Sequence, residues 1–223
     1  MRLVLLGPPG AGKGTQAAAV RDRLGVPHVS TGDMLRQAID RSTPLGLKAK
    51  AIVEAGGLVP DEVMAELVAE RLGQPDAARG FLLDGYPRTL RQAEDLGVIL
   101  GRLGVGLDHV LYLSADDREI IRRLSGRRTC ASCGALYHLL SAAPRSAGRC
   151  DVCAGELTQR ADDREEVVAQ RMKVYRERTE PLVDHYKRAG LLRAIDAQGD
   201  VAQVTERVLA GLREPAPTEG RRS

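Results

Sequence analysis

Short apolar runs alternate along this chain with longer stretches of helical period. Residues 2–6, RLVLL, have no polar break after the arginine, as in a strand buried on both faces. The segment GKGTQAAAVRDRLG then predicts a helix that stops at Gly25. VPHVS predicts a short second strand, and STGDMLRQAIDRS a helix opened by cap-type residues. Two more helices follow, in PLGLKAKAIVEAGG and in PDEVMAELVAERLG, the latter with Pro60 and Asp61 at its start. GFLLD and DHVLYL predict strands, separated by the helix TLRQAEDLGVILGRLG and followed by the helix DDREIIRRLSG. Residues 164–190 predict a long helical stretch bent near Pro181. LLRAID is the last strand and VAQVTERVLAGLRE the last helix.

This alternation predicts an α/β protein, a parallel sheet with helices on both faces. Two segments break the rhythm: residues 30–59, which are wholly helical, and residues 127–163, which carry cysteines, glycines and serines. Both read as insertions in one core, which comprises residues 1–29, 60–126 and 164–213. The tail 214–223 has no periodicity and is expected to be disordered.

The 223 residues, 43% of them hydrophobic, suffice for a core of this size. Net charge is +3 and aromatic residues make up 3%, which disfavours a polyanion binder or a base-stacking nucleic-acid reader. There is neither a long apolar run nor a signal-type leader, so a soluble cytoplasmic protein is expected.

Against that background GPPGAGKGT, residues 7–15, stands out. It meets the G-x-x-x-x-G-K-[ST] template except that Gly14 precedes Thr15. The physical requirement is met. A strand ends, glycines let backbone N–H groups close around a phosphate, and a helix begins with its positive end there. Lys13 supplies a point charge. The pattern alone leaves open a glycine-rich turn without a ligand. Asp84, at the carboxyl end of FLLD, is placed to hold magnesium through water, or to serve as a turn or cap residue.

Arg36, Arg88, Arg123, Arg127, Arg160 and Arg171 recur near the expected crevice, whereas none of the histidines (His28, His109, His138, His185) is expected beside the glycine loop or DGYPRT. A hydroxyl acceptor needs a positioned base; a phosphate acceptor, already ionised, needs charge cancellation. Many arginines and no base therefore point to phosphoryl transfer onto another phosphate, with solvated surface arginines as the alternative for any one of them. Cys130, Cys133, Cys150 and Cys153 form C-x2-C-x16-C-x2-C, the spacing of a closed structural zinc site. Disulfides or free thiols are the alternatives.

GPPGAGKGTQA, STGDMLR, GLVPDE, GFLLDGYPRTLRQAE, GRRTC and RADDREEVVAQRM occur in one order at spacings that resemble the adenylate kinase family, in the form with a zinc-binding lid. The resemblance covers residues 1–213 and implies a five-stranded sheet of the P-loop type, with residues 30–59 as an AMP-binding insertion and 127–163 as the lid. It implies reversible transfer from MgATP to AMP, giving two ADP, in the service of adenine nucleotide homeostasis and by a monomer. It places Gly10, Ala11, Gly12, Lys13, Gly14 and Thr15 around the ATP phosphates, with Arg123 and Arg127 on the ATP side. Leu136, Tyr137 and Gly199 are placed near the ATP base. Thr31, Arg36 and the backbone of Gly57, Leu58 and Val59 match the AMP site. Gly85, Tyr86, Pro87 and Arg88 surround the AMP phosphate and base, and Gln92 matches the amide that reads adenine. Arg160 and Arg171 bridge the two phosphates, and Asp162 and Asp163 help closure over the substrates. A kinase for another nucleoside monophosphate is the nearest rival; Gln92 and Thr31 favour adenine. A zinc-ribbon nucleic-acid binder and a regulatory P-loop switch are rivals of other classes. The charge and composition argue against the first, and the missing guanine-reading N-K-x-D tetrapeptide against the second.

Overall fold

The computed structural model describes residues 1–213; the disorder expected for 214–223 lies outside the described residues. Five strands, β1 (Arg2–Leu6), β2 (His28–Ser30), β3 (Phe81–Asp84), β4 (His109–Ser114) and β8 (Leu192–Asp196), form one sheet in the order β2-β3-β1-β4-β8. Every pairing in it is parallel, with Leu5 opposite Asp84 and Leu6 opposite Tyr112. The expected sheet is the observed one.

Its strands are apolar on both sides because both faces are covered. Leu3 and Leu5 pack with Leu111, Leu113 and residues of α1 (Lys13–Leu24) and α9 (Val201–Gly211). Val4 and Leu6 pack on the other face, with residues of α4 (Asp61–Leu72), α5 (Leu90–Arg102) and α8 (Pro181–Arg188). The central strand buries Leu3, Val4, Leu5 and Leu6 at 2% exposure or less, so all four contribute nearly their full transfer free energy, about 1.5–3 kcal/mol each. Among the described residues no helix is long and apolar enough to cross a membrane.

The first insertion is a helical pair, α2 (Thr31–Asp40) and α3 (Pro44–Glu54), capped by the Ser30 and Thr43 hydroxyls. The helices touch at Gly46, where any Cβ would overlap the Ala38 carbonyl. Gly46→Ala is therefore expected to force the pair apart and to lower Tm by roughly 5 °C, read by calorimetry.

The second insertion departs from the alternating plan. β5 (Arg127–Cys130) is the middle strand of a small antiparallel sheet, with β6 (Leu136–His138) on one side and β7 (Leu157–Thr158) on the other. It follows α6 (Asp117–Gly126) and ends in a 3-10 turn at Ala161–Asp163 that packs on α3. Just before Pro181, where a bend is expected, the helix changes its hydrogen-bonding pattern. α7 (Glu165–Val174) runs into a π-helical turn at Tyr175–Thr179, and α8 begins at Pro181, where a missing N–H costs nothing in a first turn.

Candidate active site

The glycine loop leaves the carboxyl end of β1, at the centre of the sheet, and leads into α1. Gly10 holds φ +81°, and a side chain there would meet Leu124 at 2.9 Å, so only glycine fits. No side chain caps α1, and its N-cap is Gly12. Its first N–H groups are thus left for an anion, and Thr15 stands exposed in the same turn. Lys13 Nζ folds back onto the Gly7 and Pro8 carbonyls at 2.7 and 2.9 Å. Burial pushes its ammonium down to about 8, with Asp84 opposing and Arg88, Arg171 and Arg127 adding to the shift. A cation held among cations in a cleft at the carboxyl ends of strands is arranged for a polyanion.

Two clefts open beside the loop. One is lined by Thr31, Arg36, Gly57, Leu58, Val59 and Gln92, among others; the second includes Gly7, Lys13, Pro87 and Thr179. Gly85, Arg88 and Arg171 line both. Burial, with the Arg171 charge adding to it, lowers Arg88 to about 10. Arg88 Nε donates to the Gly85 carbonyl at 2.8 Å, and Thr179 Oγ1 donates to the Arg88 carbonyl at 2.8 Å from the π-helical turn. Tyr86 is fully buried beneath this loop.

The other arginines arrive from α2, α6, α7, the start of β5 and the approach to the 3-10 turn, each held by a partner. Arg36, on α2, meets Asp33 at 2.5 Å. Arg123, on α6, bonds Glu119 and spans the Ala11 and Ala197 carbonyls, which brings the loop of Gly199 beside the glycine loop. Arg127 grips buried Asp163 with two bonds of 2.7 and 2.5 Å. Arg171, on α7, reaches Asp162 Oδ2 at 2.9 Å and Asp163 Oδ1 at 3.3 Å. Arg160 donates to the Thr129 hydroxyl at 3.0 Å; burial, together with the Arg36 and Arg127 charges, lowers it to about 10. Leu136 reaches over Gly14, within 4.0 Å of where a Cβ would stand.

One expectation is corrected. His28 Nε2 lies 3.3 Å from Asp84 Oδ2, so a histidine does stand beside DGYPRT. β2 and β3 run in parallel with Ser30 opposite Asp84, so His28 reaches diagonally along a shared face. A separation of 56 positions hides this contact from a linear reading.

The four cysteine Sγ atoms lie within 4.8 Å of one another, and none is in a disulfide. The Cys130–Cys153 and Cys133–Cys150 sulfurs stand 3.4 and 3.5 Å apart, close to the edge of about 3.8 Å that zinc–thiolate bonds of ~2.3 Å give a tetrahedron. The Cys133 and Val152 N–H groups point at the Cys130 and Cys150 sulfurs, as a pair of turns built to support thiolates. The residues present therefore fit a tetrahedral metal. Tyr137 turns its hydroxyl to this cluster, 3.4 Å from Cys150 Sγ, while accepting from the Asp151 N–H. The Tyr137 hydroxyl, aided by the Cys153 and Val152 N–H groups, pulls the Cys150 thiol down to about 6. The hydroxyl of Tyr137 is thus committed to the cysteines.

Three residues outside the sequence reading complete the site: Asp33 beside Arg36, Thr179 under Arg88, and Asp61, which accepts from Gln92 and Thr89. The T-x-x-Q spacing of 89–92 is a helix-cap signal that could have drawn attention to the last.

A glycine loop at the centre of a parallel sheet, with arginine-lined clefts on its carboxyl side, defines a P-loop nucleotide kinase. The family model described as adenylate kinase matches residues 5–191. The adenylate kinase of Citrifermentans bemidjiense is 52% identical over 213 residues, covering 96% of this chain and all of its own. That of Salinispora tropica is 54% identical over 213 residues (96% and 98%), and that of Archaeoglobus fulgidus 50% over 210 (94% and 97%). The chain belongs to the adenylate kinase family.

Proposed function

We propose that this chain moves a phosphoryl group reversibly between ATP and AMP, giving two ADP, as a cytoplasmic monomer. The observation that carries the reading is that Arg88 and Arg171 line both clefts, so one pair of guanidinium groups faces the junction where two phosphate chains would meet.

The residues then divide the work. Backbone N–H groups of Gly10 to Thr15 and the Lys13 ammonium hold the donor phosphates; a phosphate there opposes the downward shift that burial imposes on Lys13. Arg123 and Arg127 neutralise the donor side. Arg36 and Arg88 fork the acceptor phosphate, and Arg160 and Arg171 cancel repulsion between the two. The acceptor oxygen is already ionised near neutrality, so no base is required of the protein. Thr31, the backbone of Gly57 to Val59, Gly85 to Pro87 and the Gln92 amide form the acceptor nucleoside site. Leu136 and Gly199 border the donor base. Segments 30–59 and 127–163 close over their nucleotides and keep water from the transferring group. Asp84, at the carboxyl end of β3, would hold magnesium bound with the donor nucleotide, which would supply further charge neutralisation. Cys130, Cys133, Cys150 and Cys153 would hold zinc, which would supply a cross-link in place of an apolar core.

Turnover with AMP, CMP, UMP and GMP as acceptors tests the assignment. AMP is expected to rank first; a pyrimidine nucleotide ahead of AMP would overturn it.

A further inference from the structure

Asp61 touches neither cleft, yet it is bonded to the one side chain proposed to read the base. We propose that Asp61 is a positioning residue that fixes which end of the Gln92 amide faces which way, and so sets the choice between a 6-amino and a 6-oxo purine. The inference rests on the reading of the first cleft as the acceptor nucleoside site.

Gln92 is buried, at 2% exposure, one turn into α5. Thr89 caps that helix by accepting from the Gln92 N–H at 3.1 Å. In an ordinary capping box the Gln92 side chain would return to the Thr89 N–H. Here its Oε1 accepts from the Arg88 N–H at 2.7 Å instead. Its Nε2 donates to Asp61 Oδ1 at 2.7 Å, while Asp61 Oδ2 accepts from the Thr89 hydroxyl at 3.0 Å. Asp61 opens α4, a core helix, so the clamp ties two core helices together under the cleft.

An ionised carboxylate only accepts, and an N–H only donates. Turning the Gln92 amide over would set its oxygen against the Asp61 carboxylate and its NH2 against the Arg88 N–H. Both ends of the amide are therefore assigned. Each bond uses one of the two donors on Nε2 or one of the two lone pairs on Oε1. One donor and one acceptor remain for a base. Adenine offers an acceptor at N1 and a donor at its 6-amino group, which this pair matches. Hypoxanthine offers a donor at N1 and an acceptor at O6, which need the amide reversed. Asp61 thus works against the 6-oxo purine without touching it.

The test compares AMP with IMP as acceptors, using the full chain. Asp61→Ala frees Nε2, and the AMP:IMP ratio of kcat/KM is expected to fall about tenfold, the worth of one buried hydrogen bond, with KM for ATP unchanged. Asp61→Asn, which can turn either an acceptor or a donor toward the Gln92 amide, is expected to give a ratio between those of the wild type and of Asp61→Ala. In a Gln92→Leu background, Asp61→Ala is expected to leave the ratio where Gln92→Leu put it. An unchanged ratio in a folded Asp61→Ala protein overturns the proposal, as does an equal fall in the Gln92→Leu background. Should Asp61→Ala fail to fold, the wild-type protein still decides. The Gln92 carboxamide proton bonded to Asp61 is expected to be protected from solvent exchange without nucleotide, and its exchange as fast as in an exposed glutamine overturns the clamp. A Gln92→Leu variant with unaltered KM for AMP would sink the base-reading role itself, an outcome that the other arms do not produce.

Discussion

Lys13→Met is expected to cut kcat by at least about 10²–10³-fold, the range for losing one preorganised charge at a reacting group. Lys13 is held in place by the fold at both ends. It leaves the end of a glycine loop, its Nζ rests on two carbonyls of that loop, and four charged neighbours surround it. Methionine has a similar reach and no charge, so the loop keeps its filling. The buried ammonium carries a desolvation cost in the absence of nucleotide, so its removal leaves the melting temperature nearly unchanged or raises it. Steady-state turnover with ATP and AMP, read beside a melting curve, checks both halves. Near-normal turnover in Lys13→Met would end the view of the loop as a phosphate cradle.

The second large effect is on stability. Cys130→Ser with Cys133→Ser is expected to abolish metal binding and to lower Tm by roughly 10 °C, corresponding to about 3–5 kcal/mol in a chain of this size. The cysteine-bearing sheet has little else to hold it. Leu136 is 45% exposed, Leu139 49%, Leu140 77% and Val152 75%, so no apolar core forms there. Its strands are two to four residues long and marginal by themselves. Some turnover is expected to persist at low temperature, because the glycine loop and Arg88 lie outside that sheet. Elemental analysis and calorimetry decide the matter: unchanged metal content and Tm would show that the thiolates hold nothing.

What the sequence made legible follows a physical division. RLVLL and FLLD announce themselves because a parallel strand covered on both faces needs an unbroken apolar run. The glycine loop is local, and so is each C-x2-C pair, so spacing alone brings their atoms together. Contacts made across the fold left no such mark. His28 meets Asp84 through strand register, Arg127 meets Asp163 across the length of an insertion, and Asp61 meets Gln92 through the packing of α4 on α5. Strands β5 to β7 were unreadable because RRTC, LYH and LT are too short to display a period. The π-helical turn has the composition of an ordinary helix, and only its hydrogen bonds distinguish it.

The ion pair of Arg127 and Asp163 has a consequence for how the chain is assembled. It joins the residue where the cysteine-bearing segment leaves the core to the residue where it returns, with Asp163 buried. Seen from the core, a long excursion is closed off at its neck like a short hairpin. Once the neck is tied, the length beyond it adds little to the chain entropy of folding; by the logarithmic law, going from a short turn to some 35 residues costs only about 2 kcal/mol. The core can thus tolerate exchange of everything beyond that knot for a shorter or longer module, provided that the guest begins with an arginine and ends with an aspartate placed to clasp it.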